Sequence, residues 1–174
     1  LQVWDESIFL QITRDMIAGE DHTPYQLPGI KFFVGSAIAV FGDNWFSWRA
    51  PSVIFGMLVL IVFYKILCNF VSERSALFVT TLLSFDTIFF VHSTLFLRDV
   101  PLMFFGLFSF YLSLRKRYYL SALVLGFAFL IKETAMFFLI FLAIYYIGIT
   151  KPWKGIRVKI PVTFVVIMVV MFVI

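Results

Sequence analysis

The sequence predicts an all-α protein, a polytopic transmembrane helix bundle with interfacial amphipathic helices in its first external loop. Composition is the first reason. With 62% hydrophobic and 14% charged residues and a mean hydropathy of +1.01 over 174 residues, the chain is far from a soluble domain, which carries about 25% charged residues. The second reason is the succession of apolar runs at 51–67, 75–90, 101–114, 118–131, 134–149 and 160–174. The third is the distribution of charge. Every acid except Glu73 falls in segments that alternate with the basic segments 65–74, 115–117 and 151–159, and only apolar runs lie between the two kinds.

Lys and Arg accumulate in cytoplasmic loops, so the basic segments are assigned to the cytoplasm and the acidic face to the outside or lumen. The net charge of +4 is explained by that anchoring, and nucleic acid is not an expected partner. Cys68 is the only cysteine, which excludes an intrachain disulfide and a CxxC metal site. Leu1 in place of Met, and Ile174 inside an apolar run, are read as the ends of a piece that lacks an N-terminal membrane helix and whatever follows the last one. The chain is expected to be a single membrane domain, 1–174, with an external loop over 1–50 and about six transmembrane helices over 51–174.

Within that loop, Ile8, Phe9, Ile12 and Met16 recur at helical spacing with acids and Arg14 opposite, which predicts a helix lying in the interface. Pro28 and Gly29 open a second short apolar helix near 30–40, since Pro suits a first turn. Several of the six later runs are shorter than the roughly 20 residues of a full crossing, so flanking residues must complete them. Trp4, Trp45, Trp48 and Trp153 fall near the expected interfaces, as an aromatic belt requires.

The chemistry-bearing residues gather on the acidic face. Asp5 and Glu6 open the first helix, where acids cap and favour the helix dipole; a carboxylate there is also placed to act as general base toward a hydroxyl. Asp86, His92, Arg98 and Asp99 form a connection denser in polar groups than joining two helices needs, and ionisable groups at membrane depth are functional candidates. Ion pairing that caps a helix is the simpler reading of Arg98 and Asp99. Lys132 and Glu133 interrupt a continuous apolar stretch, either neutralising each other in a turn or adding Lys132 to Lys31 and Arg98 as cations able to hold an anion at headgroup level. Walker, GxGxxG, GxSxG and HExxH motifs are all missing, so nucleotide hydrolysis, dinucleotide redox, serine hydrolysis and zinc peptidase chemistry have no support. His22 and His92 are too few for a histidine metal site.

Taken in order, these residues resemble the lipid-linked-sugar glycosyltransferases of the GT-C fold, and within them the protein O-mannosyltransferase and aminoarabinose transferase branch. Trp4-Asp5-Glu6 resembles the family's Asp-Glu pair in the first external loop. Pro28-Gly29-Ile30-Lys31 is similar to the end of its His-Pro-Pro-Leu-Gly-Lys loop, and Trp48-Arg49-Ala50-Pro51 with Gly56 to its next entry into a span. Phe85-Asp86, Val91-His92-Ser93 and Leu97-Arg98-Asp99 resemble its Asp-Asn, Gln-Ser-Arg and Leu-Asp succession, and Gly126 with Ile131-Lys132 its Gly and later lysine. His22-Thr23-Pro24 is offset from the family position, and Thr94 stands where an Arg is frequent.

The resemblance implies a GT-C bundle in the cell membrane or endoplasmic reticulum with an extracytoplasmic or lumenal active face. It implies transfer of a sugar, mannose or similar, from a polyprenyl or dolichyl phosphate to a hydroxyl on a protein Ser or Thr, a lipid or a glycan, with inversion. On that reading Asp5 is the general base and Glu6 its partner, while Lys31, Arg98, Asp99 and Lys132 bind the sugar and lipid phosphate. No cofactor and no metal ion are implied, since the leaving group is a lipid phosphate and no DxD motif is present. A transporter fragment or a non-catalytic membrane subunit with membrane protein partners are the alternatives. Transporter sites lie near the bilayer midplane, whereas these charges cluster at one interface.

Overall fold

The computed structural model describes residues 4–19 and 29–149, and these form helices joined by short connections, with no strand among the described residues. The elements are α1 (Trp4–Ala18), α2 (Gly29–Phe41), α3 (Trp45–Leu67), α4 (Glu73–Phe85), α5 (Thr87–Thr94), α6 (Asp99–Leu114), α7 (Tyr118–Ile131), one 3-10 turn (Glu133–Ala135) and α8 (Met136–Ile149). The last expected span, 160–174, and Trp153 lie outside the described residues.

Helix α3 starts six positions ahead of the expected Pro51, because Asn44 caps it: Oδ1 accepts from the Phe46 N–H at 3.0 Å and the Ser47 N–H at 3.1 Å. Its 23 residues are long and apolar enough to cross a membrane. The expected run 75–90 is instead two helices bent by 66°. Asp86 is the cause. In an extended conformation it ends α4, and its Oδ1 accepts from the Phe89 N–H at 2.7 Å to start α5, offering the backbone a cap in place of continued helix. The apolar helices α6, α7 and α8 are shorter than α3.

The core lies where α6 packs on α7 and α3, with Val62, Ile66, Leu102, Phe110, Leu125 and Ile131 buried. Small residues let these helices approach. A Cβ on Gly106 would lie 2.5 Å from the Phe138 ring, and one on Gly56 2.7 Å from Ser93 Cβ. Between α6 and α7 three buried serines interlock: Ser109 Oγ donates to the Ser121 carbonyl at 2.8 Å, Ser121 Oγ donates to the Ser109 carbonyl at 2.8 Å, and Ser113 Oγ lies 2.7 Å from Ser121 Oγ. Small residues and serine hydroxyls of this kind bind helices together where apolar burial gives no drive between them. Leu77, Phe78, Phe85, Ile88 and Phe90 on α4 and α5 stay exposed, an apolar surface suited to acyl chains and unfavourable in water.

The amphipathic reading of α1 holds at Ile12 and departs at Ile8. Its buried face is Glu6, Leu10, Ile12 and Thr13, whereas Ile8 is exposed. A paired carboxylate has been drawn inside, and the apolar Ile8 and Ile17 are left outward. Leu10 joins Val34 of α2 and Phe96 in a small core flanked by Ile38 and Trp48, at about 1.5–3 kcal/mol for each fully buried large side chain.

Candidate functional site

The site is assembled at the end of the bundle where α1 docks, α3 and α6 begin, and α5 and α7 end. Glu6 is fully buried. Its two oxygens accept from Arg49 Nε and Nη2, each at 2.9 Å, and Oε1 also accepts from the Phe96 N–H at 3.2 Å. A two-pronged guanidinium with a backbone donor is the arrangement that makes a buried carboxylate tolerable. The contact ties the start of α1 to the first turns of α3 and to the segment 95–98 that joins α5 to α6.

Asp99 opens α6 three residues beyond Phe96. Its Oδ1 accepts from Lys132 Nζ at 2.6 Å, and its Oδ2 lies 3.7 Å from His92 Nδ1. The ends of α5, α6 and α7 thus meet on one carboxylate. Lys132 is held by Asp99 and not by its neighbour Glu133, because it ends α7 in an extended conformation that carries it across to α6. Lys31 of α2 is buried. Two positions ahead of it, Gly29 is pressed against the end of α7, where a Cβ would lie 2.7 Å from the Leu130 carbonyl oxygen. Arg98 is the N-cap residue of α6, in a helical backbone conformation.

Of the residues singled out in the sequence, the fold therefore draws Glu6, Asp99 and Lys132 onto one connected end, bridged by the segment 95–98. Asp5 lies in the first turn of α1, and its side chain lies outside the described part of the structure. Sequence reasoning missed Arg49 as the partner of Glu6. One signal was available: Arg49 is the lone cation between Lys31 and Lys65, and a buried acid needs one.

It also missed a second attachment of α1. Arg14 Nε and Nη2 donate to Asp43 at 2.8 and 3.2 Å, the Trp48 indole N–H donates to the same carboxylate at 2.6 Å, and the Arg14 guanidinium lies 5.3 Å from the Trp48 ring centre. The hydrogen bond from Arg14 holds the Asp43 carboxyl below the usual carboxylate range; partial desolvation opposes this, and the Trp48 N–H and the charge of Arg14 reinforce it.

A family model described as dolichyl-phosphate-mannose-protein mannosyltransferase matches residues 21–174. The chain belongs to that family, one of membrane-integral glycosyltransferases of the mannosyltransferase type. The match covers α2 to α8 and begins after α1. No curated protein and no solved structure matches the chain.

Proposed function

We propose that the chain is a single polytopic membrane domain that moves a sugar, mannose or a similar one, from a polyprenyl or dolichyl phosphate to a hydroxyl acceptor on the extracytoplasmic or lumenal face. The observation that carries this reading is the docking of α1 on the family-matched bundle through Glu6, Arg49 and the Phe96 N–H. On this reading Asp5 works at the same end of the bundle as Lys31 in the first turn of α2, Arg98 just before α6 and Lys132 just after α7.

The reaction makes two demands. The acceptor hydroxyl must lose its proton as its oxygen bonds to the anomeric carbon, and Asp5 takes that proton as general base. As the carbon–oxygen bond to phosphate breaks, the bonding pair goes to the phosphate oxygen, and negative charge grows on the lipid phosphate. Preorganised cations stabilise such charge without reorganising. Lys31, Arg98 and Lys132 fill this role. Because attack and departure occur in one displacement, the anomeric configuration inverts.

Glu6 has a different part. Enclosed by Arg49 and the Phe96 amide, it holds α1 and orients the residue before it. Asp99 sets Lys132 in place and leaves one oxygen toward His92 for a sugar hydroxyl. The partners on this reading are a lipid-linked sugar and a protein Ser or Thr, a lipid or a glycan, with no cofactor. The test is transfer from a panel of radiolabelled polyprenyl- and dolichyl-phosphate sugars in membranes bearing the full chain, with the anomer of the product determined. Inverted product from one donor class is expected; no transfer from any donor by the folded protein would overturn the reading.

A further inference from the structure

Helix α1 is held at two points eight residues apart, about 12 Å along its axis, and the two points rest on adjacent residues of α3. Glu6 is bound by Arg49. Arg14 is bound by Asp43, which the Trp48 indole N–H also grips. Trp48 in turn packs on the core of Leu10, Val34 and Phe96, and Phe96 is the residue whose amide donates to Glu6. The outer cluster is therefore connected to the inner one both along α1 and through Trp48.

An exposed ion pair adds little to stability, and the Arg14 and Asp43 side chains are 41% and 42% exposed. Yet this pair has features that stability alone does not call for. The guanidinium engages the carboxylate with two nitrogens, lies over an indole ring, and shares its acceptor with that indole. Planar, two-pronged recognition of this kind fixes orientation as well as distance. It adds an oriented polar constraint on the rotation of α1 to the non-directional packing of Leu10, Ile12 and Thr13.

We infer that Arg14, Asp43 and Trp48 form a positioning clamp for the sugar-transfer reaction, setting the rotation and seating of α1 so that its first turn presents Asp5 to the acceptor while Glu6 stays enclosed. This rests on the sugar-transfer reading above. The three residues do not touch the reacting groups; they act through α1. Misplacement of a catalytic group by about 1 Å costs as much as 100-fold in rate even when its cause is remote.

The experiment compares the full chain with Arg14→Ala and with the conservative Arg14→Lys, which leaves Asp43 to accept from Trp48, in membranes, reading kcat and donor KM together with hydrogen exchange at the Phe96 amide. The Ala variant is expected to lose about 10- to 100-fold in kcat with little change in donor KM, and the Phe96 amide to exchange faster. The Lys variant, which keeps a cation on Asp43 without the two-pronged geometry, retains part of both. A purely local surface pair would leave the Phe96 amide untouched. Either readout remaining at the wild-type value in Arg14→Ala overturns the clamp while wild-type transfer keeps the sugar-transfer reading intact. Absence of transfer by the wild-type chain overturns that reading and the clamp with it. Should Arg14→Ala lose protection throughout α6 and α7, Arg14→Lys decides: recovery supports the clamp, and none overturns it.

Discussion

Glu6 and Arg49 lie forty-three positions apart in the chain and meet in a two-pronged pair of 2.9 Å bonds, with the carboxylate fully buried and the guanidinium partly open. The pair joins the first described helix to the one helix among the described residues that is long and apolar enough to cross a membrane unaided. Removing one member of such a pair strands the other, at about 3–5 kcal/mol. Arg49→Ala is therefore expected to lower thermal stability in detergent by that amount and to release α1. Glu6→Gln, which keeps the shape and loses the charge, is expected to cost less. Equal melting of Arg49→Ala and wild type would contradict the pair's role.

Lys132 and Asp99 are coupled through their 2.6 Å contact. On the proposed function Lys132 acts on the leaving phosphate, so Lys132→Met is expected to lower kcat by about 100- to 1000-fold, the range seen when one preorganised donor is removed. Asp99→Asn is expected to lower it less, and the double variant to be no worse than Lys132→Met alone. Additive losses in that cycle would show that the two side chains act independently.

At Asp43 the sign of the pH dependence follows from its partners. Its folded pKa lies below the ordinary value, first because Arg14 donates to it, so its contribution to seating α1 is present above the ordinary carboxylate pKa, near 4, and is lost as pH falls through the lowered value. Arg14→Ala is expected to return the Asp43 titration toward the ordinary value, followed by its carboxyl NMR signal. No movement would place the cause elsewhere.

The serine lock between α6 and α7 gives a fourth expectation. Ser121→Val leaves the Ser109 and Ser113 hydroxyls without that partner and is expected to destabilise by about 1–2 kcal/mol. Gly106→Ala, whose Cβ would press on the Phe138 ring, is expected to cost about 1–3 kcal/mol. Thermal melting of each variant checks both.

Much of this was legible in the sequence, and the reasons for the rest are physical. The all-helical class followed from hydropathy, and α6 and α7 fall on the expected runs 101–114 and 118–131 to within two residues. Periodicity alone could not reveal that Asn44 starts α3 early or that Asp86 divides a run, since both are capping decisions made by one side chain. The inward turn of Glu6 was hidden for a different reason. Its partner Arg49 is distant in sequence, and the apolar spacing of Ile8, Ile12 and Met16 gave no reason to set a carboxylate on the buried face beside Ile12. Asp99 and Lys132 were both marked, but their pairing depends on the close packing of α6 on α7, which spacing does not encode.

The central claim is that this end of the bundle transfers a sugar with Asp5 as base. Transfer from a radiolabelled polyprenyl-phosphate sugar in membranes, wild type against Asp5→Asn at equal expression and folding, tests it most directly. The account expects transfer by the wild-type chain and its loss in the variant; equal transfer by both would contradict it.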